Sequence, residues 1–351
     1  MNLHLHPTCP WLPVAAATLA SLGAGLGLAA PALAGEGAGV GAGPASAIEV
    51  IFNDPGAVYG AWHADIERVA LAAGADWLRH FLPPGATPVL TLRIGFDGQA
   101  TASGASVVSH LVGPGTDGQW VYAQGAAYEL QTGLDPNGAE ADIDITFGTA
   151  GYLQHELWFD PVPLLRNTPV PAGQTDAYSV LQHELGHALG FNGWLDVATA
   201  TAGAAASTFD MLVGAHPGQP DGGLYFLGAA AMALYGGPVP LTAGNYAHLG
   251  NWAPGSGSEL LPDLMNGLVF YRGTRYTISP LNLAMLQDTG LPLAAAVPEP
   301  ATAALWLAGL LALALWLQHR RGPAGLPGAA RSSAHRPPSP GRLQPAHRCS
   351  A

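Results

Sequence analysis

The 351-residue chain holds no lysine, and its charges divide sharply: six arginines face 23 carboxylates before residue 299, and six arginines face one, Glu299, from there on. So acidic a body excludes a binder of phosphate backbones, which needs Lys and Arg, and suits a soluble extracellular domain. The two cysteines, Cys9 and Cys349, lie near the ends, so the body between them has neither disulfides nor cysteine metal ligands.

Residues 11–34 are apolar and uncharged and end in Ala32-Leu33-Ala34, the pattern of a secretory segment with a small-residue cleavage site. The segment before it carries His4 and His6 in place of Lys or Arg. We therefore assign 1–34 to a signal peptide, to be removed by signal peptidase, and Gly35–Ala47 to a Gly/Ala linker with no core-forming pattern. Residues 48–293 remain, enough for one large core or two lobes around a cleft.

Within that body, Ile48–Asn53 reads as a first strand. Trp62, Ile66, Val69, Ala73 and Trp77 recur at helical spacing and predict an amphipathic helix over 60–81. The runs PVLTLRIGF, ASVVSHLV and ADIDITFG read as strands between Gly and Pro signals. Asp142 and Asp144 share one face of the last. With Asp135 and Asn137 these aspartates could bind Ca2+, but a turn followed by a polar strand face is the preferred reading. A helix is predicted at 176–189, with Thr175 or Asp176 as N-cap. Residues 197–240 are rich in Ala and Gly and show no periodicity. Ser279–Gly290 has Ser at the cap, Pro in the first turn and Gly at the end, and predicts a last helix.

The predicted helix at 176–189 carries the chemistry. His183 and His187 are four apart and lie on one helical face, where both imidazoles can reach one metal ion. Glu184 projects from the neighbouring edge, within reach of a water held by that metal. This is the H-E-x-x-H signature of zinc peptidases. Val180, Leu181, Leu185, Ala188 and Leu189 supply a buried face, and Gly190 ends the helix. His155-Glu156 is a decoy, because Phe159 stands where the second histidine belongs.

The motif resembles that of the metzincin metalloproteases, H-E-x-x-H-x-x-G-x-x-H/D. His183, Glu184, His187 and Gly190 fit, but Gly193 stands at the last position and cannot ligate. Leishmanolysin-like metzincins carry an insertion after the glycine and bring their third histidine some sixty residues later. Here His248 lies 61 residues after His187, and Met265 a further 17 on, within LPDLMNG, which resembles the Met-turn beneath the zinc. The resemblance covers about residues 140–292. It implies a metzincin-like α+β fold, a mixed sheet with the active-site helix and an irregular lower lobe carrying the Met-turn, with ADIDITFG as an edge strand that borders the substrate cleft and pairs with extended peptide. It also implies one catalytic zinc held by His183, His187 and His248, with Glu184 as general base. Other residues compete for the third ligand: Asp196, His216 in a Pro/Gly-rich stretch, and Glu259. Tyr246 and Tyr271 lie near the segments from which an oxyanion partner would come.

At the other end, Val297–Pro300 precedes the uncharged run 301–317, which is followed by His319, Arg320 and Arg321. Seventeen apolar residues sit at the short end of what spans a bilayer, and the arginines suit a cytoplasmic stop. This order, 297–321, resembles the PEP-CTERM sorting signal of Gram-negative bacteria, cut by an exosortase-type enzyme on the way to the cell surface or extracellular matrix. A plain membrane anchor is the alternative. Residues 322–351 form a basic tail without core-forming pattern. The reading is thus a surface-sorted zinc endopeptidase acting on protein or peptide substrates. A non-catalytic surface protein with a vestigial fold, or a zinc hydrolase of other substrates, are its rivals.

Overall fold

The computed structural model describes residues 48–81, 89–196, 198–215, 223–250, 258–294 and 309–317. The signal and linker segments, His216, the Pro-Glu-Pro motif and the basic tail lie outside the described residues. The chain divides into two compact units, Met1–Ala295 and Ala296–Ala351. Of the second, 309–317 is helical, with exposed leucines at 310, 311, 313, 315 and 317. No helix among the described residues is long and apolar enough to cross a membrane.

The first unit is a mixed α+β structure. Its elements in order are β1 (Ile48–Asn53), α1 (His63–Leu78), β2 (Leu90–Phe96), β3 (Ala102–Ser106), β4 (Ser109–Pro114), β5 (Trp120–Gln124), α2 (Gly125–Thr132), β6 (Ile143–Phe147), β7 (Leu157–Trp158), β8 (Thr175–Asp176), α3 (Ala177–Leu189), β9 (Ala205–Ser207), β10 (Val213–Gly214), β11 (Tyr225–Phe226), α4 (Ala229–Tyr235), β12 (Val239–Thr242), β13 (Asn245–Leu249) and α5 (Pro280–Asp288). The main sheet has the order β1-β2-β6-β3, with β1, β2 and β6 parallel and β3 antiparallel. Parallel neighbours need a crossover, and α1 supplies the one between β1 and β2. Ile66, Val69, Ala70, Ala73 and Trp77 turn its apolar stripe inward, and Leu90, Leu92, Ile94, Ile143, Ile145 and Phe147 meet it from alternate positions of β2 and β6.

Two expectations need correction here. The run ASVVSHLV is not one strand. It breaks between β3 and β4 because the chain turns a corner at Val107 and Val108, whose backbones bond to Asp142 and Gly125. Nor is ADIDITFG an edge strand: β6 is paired with β2 on one side and β3 on the other, and β3 forms the edge.

Helix α3 lies against both α1 and β3. Trp77 Nε1 donates to the Gln182 carbonyl (2.8 Å), and Tyr178 Oη to that of Ala72 (3.2 Å). Against β3 the approach is close enough that a Cβ on Gly104 would stand 2.4 Å from the Glu184 carbonyl oxygen. Only a residue without a side chain fits there.

The segment expected to be irregular contains an antiparallel sheet, β10-β11-β12-β13. Its strands have two to five residues, too short for a periodic signal. The 264–267 segment is stitched to β13 by Leu249 N–H to the Met265 carbonyl (2.8 Å) and Gly267 N–H to that of Leu249 (3.1 Å). Helix α5 follows the sequence rules: Ser279 and Asn282 form a reciprocal capping box with Pro280 in the first turn. Asp263 accepts from Ser279 Oγ (2.6 Å), Asn282 Nδ2 (2.7 Å) and Met265 N–H (2.9 Å), which fixes the turn before Met265 to that cap.

Every arginine of the body is ion-paired: Arg68 with Asp65, Arg79 with Asp76, Arg93 with Asp144, Arg166 with Asp176, Arg272 with Glu156 and Arg275 with Asp160. Thus the decoy glutamate, Glu156, is taken up by Arg272.

Candidate metal centre

The fold brings three histidines together. His183 and His187 project from adjacent turns of α3, and His248 comes from β13. His183 Nε2 stands 3.1 Å from His187 Nε2 and 3.1 Å from His248 Nε2. Each histidine offers a nitrogen within 4.8 Å of the other two, and His183 and His248 are buried.

Backbone carbonyls orient the rings. His183 Nδ1 lies 2.7 Å from the Leu264 carbonyl oxygen, and His187 Nδ1 lies 2.5 Å from that of Phe191. A carbonyl oxygen only accepts, so both Nδ1 atoms carry the proton. A neutral imidazole has one N–H, so both Nε2 atoms present lone pairs. Burial holds the rings neutral: it pushes His183 down to about 3, with help from His187, and His187 down to about 4. His248 is also held well below its ordinary value, by burial and then by the other two rings.

Two lone pairs facing each other at 3.1 Å repel, unless a cation lies between them. Tetrahedral zinc with nitrogens at 2.0–2.1 Å separates its ligands by roughly 3.3–3.4 Å, within a few tenths of an ångström of what is seen. The donor set, its tautomers and its spacing therefore fit a metal ion. Carbonyls bonded to the far ring nitrogen also raise ligand basicity, as outer partners do in metal sites.

Gly190 makes one of these carbonyls available. Its φ of +150° ends α3, and Phe191 N–H returns to the Gly186 carbonyl (3.0 Å), which aims the Phe191 carbonyl at His187. A Cβ there would stand 2.8 Å from Leu286 Cδ2. Met265 is fully buried, and its sulfur reaches the α3 backbone between the two histidines: a Cβ on Gly186 would meet it at 2.6 Å. Leu264, just before it, supplies the carbonyl for His183.

Glu184 is buried, and burial pushes its carboxyl up to about 8 against a hydrogen bond from the Gly104 backbone. Its field also helps to raise the Tyr152 phenol, whose first cause is burial.

Of the competing ligands, Asp196 and Glu259 are engaged elsewhere, and His216 lies outside the described residues. Asp196 is exposed and accepts from Ala198 and Thr199 N–H in its own turn. Glu259 takes the Tyr235 hydroxyl. Gly193 packs where a Cβ would meet Asp210 Oδ1 at 2.7 Å. Of the two tyrosines considered, Tyr271 is half exposed and Tyr246 is partly buried against the core. Sequence reasoning missed Phe270, whose ring meets His183 edge-on at 5.2 Å, and it missed Gly104, Leu264 and Phe191. The last three act through backbone atoms, which residue type does not reveal. Comparison with known proteins finds no matching family model, no matching curated protein and no matching solved structure.

Proposed function

We propose that this chain is an exported zinc-dependent endopeptidase of metzincin-like type, with His183, His187 and His248 as ligands and Glu184 as general base. The observation that carries the reading is the convergence of three imidazole nitrogens, two with their lone pairs fixed by tautomer, beside a buried glutamate on the same helix. When bound, the zinc ion supplies Lewis acidity and a water acidic enough to lose its proton near neutral pH. Glu184 takes that proton and passes it to the leaving amine nitrogen. The Gly104 backbone N–H holds the Glu184 carboxylate in place and favours its ionised form, the one a base requires. Met265 packs beneath the helix as the resembled Met-turn would, and the chain from Asp263 to Met265 sets the Leu264 carbonyl against His183.

Of the two edges of the main sheet, β1 and β3, only β3 lies beside the histidine helix, so an extended peptide would pair there rather than on β6. Export by signal peptidase and sorting by an exosortase-type enzyme complete the proposal, on the sequence order of 1–34 and 297–321. Intact-mass measurement of the surface protein from its host tests the sorting: loss of everything after about Pro300 is expected, and Arg320 still attached means an ordinary anchor. The enzymatic reading is tested by zinc content and casein hydrolysis of the purified protein beside Glu184→Gln. The variant should keep zinc and lose at least roughly 10²-fold in rate; near-normal hydrolysis overturns the mechanism.

A further inference from the structure

A second group of ligand-type side chains lies away from the histidines. Glu129 on α2, Asp135 in the loop that follows and Asp142 at the start of β6 each place a carboxylate oxygen within 4.8 Å of the other two. A Ca2+ shell with bonds of 2.3–2.6 Å is roughly 4.6–5.2 Å across, so all three oxygens fit around one ion. The grouping differs from the one sequence spacing suggests. Asp144 is turned away to a bidentate pair with Arg93 (2.6 and 2.7 Å), and Glu129, six residues before Asp135, takes its place.

The independent observation is the state of Glu129. The residue is only 7% exposed, and its Oε2 is buried and accepts no hydrogen bond. A buried carboxylate left this way is costly. None of the ion pairs among the described residues reaches Glu129, Asp135 or Asp142. Burial and then the charges of Asp142 and Asp135 push the Glu129 carboxyl up to about 7. The neighbouring acids are otherwise set as ligands. Asp142 Oδ2 accepts from Thr91 N–H (2.7 Å), and Asp135 Oδ1 from Asn137 and Gly138 N–H (2.9 and 2.7 Å), which fixes both carboxylates in place. Asn137 Oδ1, in the same loop, is also buried and accepts nothing, while its Nδ2 serves the Glu140 and Ala141 carbonyls.

We propose that Glu129, Asp135 and Asp142 bind a calcium ion that ties the 133–142 loop to α2 and β6. Three carboxylates favour a hard cation, and Mg2+ is disfavoured because it dehydrates reluctantly. The ion satisfies Glu129 Oε2 and offsets the mutual repulsion of the acids. Ser106 links the region to the active-site helix, because its Oγ donates to the Ala188 carbonyl (2.9 Å) and accepts from Ala126 N–H (3.1 Å) at the start of α2. The site is therefore a structural staple that shares no ligand with the histidine centre and reaches it only through Ser106.

The test is calorimetric titration of CaCl2 into the zinc-saturated full chain, buffered above the Glu129 value, beside thermal unfolding. One site is expected with a Kd of about 10⁻⁴–10⁻³ M, as in extracellular modules, or tighter. At about 10 mM Ca2+ the melting temperature should rise by roughly 5 °C. Glu129→Gln and the exposed Asp135→Asn should each weaken binding at least roughly tenfold and remove the rise, and Asp144→Asn should do neither. Absence of saturable binding, binding by Glu129→Gln and Asp135→Asn as tight as the parent's, or a rise that NaCl of equal ionic strength reproduces, overturns the proposal. A protonated Glu129 sharing its proton with Asp142 would then explain the cluster.

Discussion

His183 and His187 are presented by a single thirteen-residue helix, nearly all of it buried and packed on α1 and β3. His248 is presented by a meander of strands two to five residues long, reached through a connection that starts at Gly190. The first half of the centre is local: one turn of helix sets the spacing. The second is set by closing a long loop, and its position depends on the Leu249–Met265 and Asp263–Ser279 contacts. A centre built this way should fail from the second half first, because non-local contacts carry the larger ordering cost.

The largest effects break the comparison outright. His183→Ala and His248→Ala should each cost at least roughly 100-fold in zinc affinity, more than the loss of an outer partner, measured by competition with a chelating dye. His248→Ala should leave helical content by circular dichroism close to that of the parent. His216→Ala and Asp196→Ala should leave zinc binding unchanged. If Asp196→Ala behaved like His248→Ala, the two halves would not be as described.

Smaller effects sharpen it. Met265→Ala removes the side chain beneath α3 and should cost about 2–5 kcal/mol, while Met265→Leu should cost under about 1.5 kcal/mol; urea unfolding separates them. Gly190→Ala forces a side chain into a left-handed backbone against Leu286. A destabilisation of about 1–3 kcal/mol is expected, with zinc affinity about 10–100-fold weaker as the Phe191 carbonyl shifts. Ser279→Ala removes the α5 cap and one of the three hydrogen bonds that hold Asp263; it should cost about 1 kcal/mol and weaken zinc binding less than Gly190→Ala does, measured together by thermal melts and dye competition.

The same division marks what could be read in advance. Ile48–Asn53, the histidine helix at 177–189 and the capped helix at 280–288 were legible because period and stop signals agree within one short window. The strands of the small antiparallel sheet were not, because two residues have no period. β5 and α2 were missed for another reason. They follow each other without a turn, and Gly125-Ala126-Ala127 gives a weak helical signal. Missing α2 hid Glu129, so the acidic cluster was assembled around Asp144, whose partner Arg93 lies 51 residues away on the neighbouring strand. His248 and Met265 were reachable only through a resemblance in spacing; nothing local to NYAHLGNW distinguishes a ligand from a strand histidine.

The pairing of all six body arginines has a consequence for how the protein meets proteases. Enzymes that cut after basic residues need an extended chain around an arginine or lysine. This body has no lysine, and each arginine is held by a carboxylate, four of them in or beside packed helices and strands. Amine-directed chemistry, from glycation to cross-linking, finds no side chain to attack between residues 48 and 293. A protein of this composition is suited to persist among foreign proteases and reactive sugars, and its lifetime there is governed by how rarely the fold opens rather than by how many sites it displays.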